Sequence, residues 1–178
     1  MGTIVLILLE DGFRDEEAIY PYYRFIEAGY DVKTVAPQKG RQYTGKFGIP
    51  LTADLSSKEV LEGKLESIGA VIIPGGYAPD RMRMDKNMVE IVRRANNSCK
   101  IIASICHGGS MLVEADIIKN RNVTSYKSIA TDMENAGGKY IDREVVVDDN
   151  LITSRVPSDL PAFCKYTITM LQEYSRQK

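Results

Sequence analysis

The sequence predicts an α/β sandwich with a mainly parallel central sheet and helices on both faces. Three observations predict it. Short apolar runs rich in β-branched residues recur at Thr3–Leu9, Ala70–Pro74 and Lys100–Ile105, and continuous rather than alternating hydrophobicity suits parallel strands covered on both faces. Amphipathic segments with 3- and 4-residue apolar spacing lie between them. Strand and helix patterns alternate from end to end, as in a chain of βαβ units.

Taken in order, Thr3–Leu9 is the first strand. Asp15 is placed to cap a helix running to about Ala28, with Ile19, Tyr22, Tyr23 and Ile26 as its inward stripe. Gly29 supplies its stop, and Pro21 predicts a kink or a late start. Asp31–Ala36 reads as a second strand. Residues 85–97 form a helix with Met88, Ile91 and Val92 on one side, and another helix follows Cys106 through Met111, Leu112 and Val113. Val145–Asp148 and Leu151–Ser154 flank Asp149-Asn150, the chemistry of a tight hairpin turn. The last helix, from about Ser158 to Tyr174, turns Leu160, Phe163, Cys164, Thr167, Ile168 and Leu171 inward. No linker, repeat or low-complexity stretch divides the chain, so residues 1–178 read as one domain.

Composition narrows the function. With 178 residues, 44% hydrophobic and 26% charged, the chain matches a soluble globular protein with a core that needs no metal or disulfide staple. Lys plus Arg number 23 against 24 Asp plus Glu, so nothing in the charge balance favours a nucleic acid partner. No run of like charge marks a membrane patch. His107 is the single histidine, which excludes zinc sites built on two or three histidines. Cys99, Cys106 and Cys164 show no C-x-x-C spacing, so neither a zinc ribbon nor a disulfide scaffold is expected, and no metal or cofactor is assigned. The apolar run Ile4–Leu9 has no basic flank and is too short for a signal peptide or a transmembrane helix. The expectation is a cytoplasmic protein with reduced thiols and no membrane partner.

Four segments bear on chemistry. Gly40-Arg41-Gln42-Tyr43-Thr44-Gly45-Lys46 has the glycine and lysine spacing of a phosphate-binding loop. Phe47 stands where magnesium needs Ser or Thr, no helix pattern begins there, and Gly48 and Pro50 point to irregular or hairpin chain. Ala103-Ser104-Ile105-Cys106-His107-Gly108-Gly109 is the informative stretch. It carries a buried strand into a helix, and the small residues Ser104 and Gly108 allow a sharp turn at Cys106, as in a nucleophile elbow. A helix start behind Cys106 would lower its pKa. Free cysteines are more often small buried hydrophobes, and Cys99 and Cys164 are read that way. His107 is the neighbour of Cys106, yet consecutive helical residues point apart, so it either touches the sulfur, supplies positive potential, or acts through water. Asp15-Glu16-Glu17 lies beyond the first strand, either as an acidic first turn or with one carboxylate reaching Cys106. Pro74-Gly75-Gly76-Tyr77-Ala78-Pro79-Asp80 follows the third strand, either as a plain turn or as a source of close backbone donors.

These segments, with Glu17-Ala18-Ile19-Tyr20-Pro21, Thr124-Ser125-Tyr126 and Ser154-Arg155-Val156-Pro157, resemble the PfpI intracellular proteases of the ThiJ/PfpI superfamily over nearly the whole chain. The superfamily is related in fold to class I glutamine amidotransferases. The resemblance implies a flavodoxin-like three-layer sandwich. It implies a nucleophilic elbow cysteine, Cys106, with Glu17 hydrogen-bonded to its sulfur and His107 beside it. Oxyanion donors come from the amides of Gly76 and His107, and Gly75, Gly76 and Gly108 bring backbone close to substrate. In oligomeric members an acid from a neighbouring subunit contacts the histidine. Asp80 matches that position, one methylene shorter than the usual Glu, and Gly109 stands where Pro is common. The resemblance thus implies a homo-oligomer, a dimer or a hexamer.

The function expected is that of a cysteine-dependent hydrolase without cofactor. Its substrates are peptides, or methylglyoxal and its adducts in glyoxalase or deglycase chemistry. The alternative is a non-enzymatic stress protein, a redox sensor or chaperone, with Cys106 as an oxidisable thiol.

Overall fold

A computed structural model describes residues 3–63 and 67–176. Its strands are β1 (Ile4–Leu8), β2 (Asp31–Ala36), β3 (Gln42–Thr44), β4 (Pro50–Thr52), β5 (Leu55–Ser56), β6 (Ile68–Ile73), β7 (Ile101–Ile105), β8 (Asn122–Val123), β9 (Lys139–Tyr140), β10 (Val145–Asp148) and β11 (Leu151–Ser154). The helices are α1 (Asp15–Glu27), α2 (Ser57–Glu62), α3 (Ala78–Met82), α4 (Lys86–Asn97), α5 (Gly109–Glu114), α6 (Ala130–Asn135) and α7 (Leu160–Arg176). Seven strands form one sheet in the order β10-β11-β7-β6-β1-β2-β5. Every pairing in it is parallel except β10 with β11.

Apolar residues drive this arrangement. All of β6 and β7 is buried, as the uninterrupted runs require of strands covered on both faces. The crossover from β1 through α1 to β2 runs one way along the sheet, and that from β6 through α4 to β7 runs the other. Right-handed crossovers place the two helices on opposite faces. α1 packs with α7, and α4 packs with α2 and α5, completing three layers. The crossovers diverge between β1 and β6, so the carboxyl ends of those strands open onto a crevice.

The hairpin β10–β11 and the inner face of α7 follow the sequence closely. Asp149 adopts a left-handed conformation (φ 53°) in the two-residue turn, and Leu160, Phe163, Cys164, Thr167, Ile168 and Leu171 are all buried. The segment from residue 40 to 52 is a hairpin, β3–β4, with no helix after Lys46.

Helix α1 departs from expectation. It runs unbroken through Pro21, so the late start does not occur, and its cap position is Arg14 rather than Asp15. Its buried residues are Asp15, Glu17, Ala18, Pro21 and Phe25. Of the expected inward stripe, Tyr23 and Ile26 are 64% and 45% exposed. Small Ala18 and Pro21 let the helix lie close on β1 and β2, where four large side chains would hold it off. β6 also begins two residues before the apolar run: at Gly69 a Cβ would collide with Thr3 and Leu171, so glycine inside the strand admits α7. Among the described residues no helix is long and apolar enough to cross a membrane.

Candidate active site at the carboxyl edge of the sheet

The elbow forms where β7 ends. Ile105 is extended, and Cys106 then takes φ 59°, a left-handed conformation that costs a non-glycine residue about 1–3 kcal/mol. One 3-10 turn, Cys106–Gly108, leads into α5. A Cβ on Gly108 would lie 2.5 Å from the Ile73 carbonyl oxygen and 2.8 Å from Ser104 Oγ. The two small residues flanking the elbow therefore pack against each other, as a sharp turn needs. Gly108 is a packing glycine beneath the strand end, and it does not line the cavity assigned to it from sequence.

A cavity of about 390 Å³ opens above the cysteine, lined by Glu17, Gly76, Asp80, Cys106 and His107 among others. Five of the seven residues proposed from sequence thus meet in one place. Gly75 sits behind them with its amide already committed, donating to Glu17 Oε2 at 2.7 Å. It orients the carboxyl rather than substrate. The N–H groups of His107 and Gly76 are the ones directed at the sulfur.

Glu17 is fully buried. Burial pushes its proton affinity up to about 7, against the opposing pull of the Gly75 amide, the Cys106 sulfur and the Arg14 cation. Its Oε1 has no hydrogen-bond partner among the described residues. Burial, reinforced by the Glu17 charge, pushes the Cys106 thiol up to about 12, although the His107 and Gly76 amides pull it down. This corrects the expected lowering. α5 is a six-residue helix reached through a 3-10 turn, too short to offset desolvation at a residue only 8% exposed. The Glu17 charge opposes the thiolate, which is therefore better tolerated when Glu17 is protonated.

His107 does reach the sulfur. Its Nδ1 lies 3.4 Å from Cys106 Sγ, because the left-handed turn breaks the regular spacing that would separate neighbours on a helix. Burial, with Lys46 assisting against Asp80, holds the imidazole below its ordinary pKa, so it is neutral at pH 7 and able to accept a proton. Its Nε2 pairs with Ser128 Oγ at 3.1 Å, and Tyr126 stacks on the ring with centroids 4.9 Å apart. With Nδ1 accepting from sulfur, Nε2 carries the hydrogen and donates it to Ser128. Asp80 is exposed on α3; its charge acts on His107 within one chain, while the hydrogen bond goes to Ser128.

Sequence reasoning did not assign Arg14, Lys46, Ser128 or Pro157 to the site, and took Tyr126 only as a point of resemblance. Arg14 pairs with Glu16 through both nitrogens, at 2.8 and 3.2 Å, and lies over the Phe47 ring. No local pattern singles out Ser128, which arrives from a turn 21 residues after His107. A larger apolar concavity of about 1010 Å³ lies outside α1; it holds no cysteine or histidine, so the chemistry belongs to the smaller one. No group of three or more His, Cys, Asp or Glu among the described residues is placed to hold a metal.

The family description that matches this chain is the DJ-1/PfpI family, over residues 3–170. The chain is 42% identical to Deglycase PfpI of Pyrococcus furiosus over 94% of its length and 99% of the relative's. It is 40% identical to Protein/nucleic acid deglycase 2 of Escherichia coli over 96% and 99% respectively. A solved two-domain protein from Anabaena variabilis, with DJ-1/ThiJ/PfpI-like and ferritin-like domains, superposes with a TM-score of 0.92 at 37% identity. That match covers 96% of this chain and 48% of the other, so this chain spans about half of the two-domain protein.

The folded protein holds the Glu17 proton to about pH 7, whereas the unfolded chain releases it near 4.5. Stability is therefore present at low pH and falls as pH rises from 4.5 through 7. Glu17→Gln should remove that fall and gain on the order of 2–3 kcal/mol over wild type between pH 5 and pH 8, read from urea midpoints. A parallel pH profile for both proteins refutes the raised proton affinity. Ser128→Ala should slow iodoacetamide alkylation of Cys106 at pH 7 about three- to tenfold, the value of one neutral hydrogen bond. The unfolding midpoint should barely move, and an unchanged alkylation rate would show that Ser128 does not position the imidazole.

Proposed function

Because the chain belongs to the DJ-1/PfpI family, we propose that it acts on small reactive carbonyls, methylglyoxal and the adducts it leaves on proteins, through Cys106. Its enzyme class is that of its relatives, cysteine-dependent hydrolase and deglycase. The observation that carries the substrate reading is a thiol 3.4 Å from a neutral imidazole, under two backbone donors, in a cavity of only about 390 Å³. That volume lies near the lower end for ligand sites and suits a three-carbon aldehyde better than an extended polypeptide.

The mechanism follows from the groups in place. His107 Nδ1 takes the Cys106 proton, and the sulfur adds to the aldehyde carbon. The oxyanion forms at the N–H groups of His107 and Gly76. Glu17, protonated up to about pH 7, completes the hemithioacetal by giving up its proton. As carboxylate it then takes the proton from the first carbon and delivers it to the second, while the hydroxyl proton passes from the first oxygen to the second, which leaves a thioester of a 2-hydroxy acid. Water cleaves the thioester, and the sulfur regains its proton. The redox-sensor alternative is less well supported. A peroxide sensor needs an accessible, low-pKa thiolate, and this thiol is buried and pushed upward.

A homo-oligomer remains part of the reading. Tyr20, Tyr23 and Ile26 of α1 stand exposed beside Ile49, Leu160 and Pro161 in the larger concavity. Glu16, Arg24 and Glu27 supply both signs of charge there, which a self-complementary contact can use. Pro157 lines this face and the Cys106 cavity alike, so a second copy seated on it would lie beside the site. The cysteines Cys99, Cys106 and Cys164 are all unpaired, in keeping with a cytoplasmic location.

Cys106→Ser should lose methylglyoxal consumption by about 10³-fold or more, with fluorogenic peptides uncleaved by either protein. Cysteine-dependent peptide cleavage with methylglyoxal untouched would overturn the substrate choice. For assembly, Tyr23→Glu should shift sedimentation toward a single chain, because burying one unpaired carboxylate in an apolar contact costs several kcal/mol. A wild-type protein that sediments as a single chain refutes the oligomer.

A further inference from the structure

The loop that resembled a phosphate-binding motif ends up at the site for a different purpose. The turn between β3 and β4 is held against the start of α1 by Asp15, only 2% exposed, which accepts from the amides of Phe47 and Ile49 at 2.8 and 2.9 Å. Lys46 donates its own amide to the Phe13 carbonyl at 2.7 Å. Gly45 is required here, since a Cβ would lie 2.5 Å from the Asp15 carboxylate. These contacts fix the backbone of an otherwise exposed turn and put Lys46 on the rim of the Cys106 cavity. The Lys46 ammonium sits 4.5 Å from the centre of the Tyr77 ring and 5.7 Å from that of Phe47. Ring faces steer a cation without neutralising it.

The other charged residues around the cavity are Arg14, Glu17 and Asp80. Arg14 is taken by Glu16. Glu17, pushed up to about 7 by burial, is neutral below that pH. Asp80, on α3, is the remaining acid of the lining, and no ion pair joins it to Lys46. The field of Lys46 reaches the imidazole beside the sulfur, where it opposes the larger field of Asp80.

We propose that Lys46 is a specificity residue that biases the Cys106 cavity toward carbonyl compounds bearing a carboxylate next to the reacting carbon. These are 2-oxo acids and carboxylate-bearing adducts, preferred over neutral molecules of the same size. The proposal rests on Cys106 being the nucleophile, and it adds a charge preference to the small-carbonyl reading. Two reagents of nearly equal size test it without turnover: iodoacetate, which is anionic, and iodoacetamide, which is neutral. In each, the sulfur displaces iodide and forms one carbon–sulfur bond. Peptide mass spectrometry follows Cys106 separately from Cys99, which is exposed after the end of α4 rather than buried as its sequence context suggests.

The rate ratio, iodoacetate over iodoacetamide, should be about fivefold higher at Cys106 than at Cys99. It should fall to the Cys99 value in Lys46→Gln, persist in Lys46→Arg, and shrink in high salt. An unfolding midpoint for Lys46→Gln within error of wild type shows that the Asp15-anchored turn is intact. The same ratio at Cys106 in wild type and Lys46→Gln, or a wild-type ratio no higher than at Cys99, overturns the proposal. If Cys106 reacts with neither reagent while Cys99 reacts with both, the nucleophile reading itself falls, and this proposal falls with it.

Discussion

Three stretches of chain meet at Gly75, and the site exists because that residue has no side chain. A Cβ there would lie 2.8 Å from each of Cys106 Cβ, Glu17 Oε2 and the His107 amide nitrogen. Its N–H holds the Glu17 carboxyl, and its carbonyl accepts from Arg14 at 3.1 Å. One residue thus ties the start of α1 and the end of β6 to the elbow after β7. The switch point between β1 and β6 supplies the crevice, and Gly75 brings its three walls within reach of one sulfur.

Such a site costs stability. A fully buried carboxyl and a left-handed cysteine are both unfavourable, and the apolar interior formed by β1, β6, β7 and α7 offsets them. In return the thiol keeps its proton at neutral pH rather than resting as a permanent thiolate. The sulfur becomes nucleophilic when the proton can leave to His107 or reside on Glu17.

The rotation of α1 connects site and surface. Turning Glu17 and Ala18 inward sends Tyr20, Tyr23 and Ile26 outward. One helix therefore supplies the proton-holding carboxyl on one side and an exposed apolar face on the other. Its first residue, Asp15, also anchors the turn bearing Lys46. Changes in α1 packing would reach the Cys106 cavity, the Lys46 turn and that exposed face together.

The sequence by itself determined the parallel sheet, the β10–β11 hairpin, the inner face of α7 and the elbow at Cys106. Each of these rests on local physics: apolar runs, helical periodicity, turn residues, and small residues two places either side of a bend. Resemblance to a family added Glu17 and the amides of Gly76 and His107. Tertiary structure alone decided the facing of α1, the raised proton affinity of Glu17, the Ser128 partner of His107 and the placement of Lys46. It also gave the Gly75 amide to Glu17 and left Gly108 to packing. Asp15 meets Phe47 across 32 residues and Gly75 meets Glu17 across 58. Burial and hydrogen bonding at such separations depend on how whole layers close over one another, and no pattern of neighbouring residues encodes that.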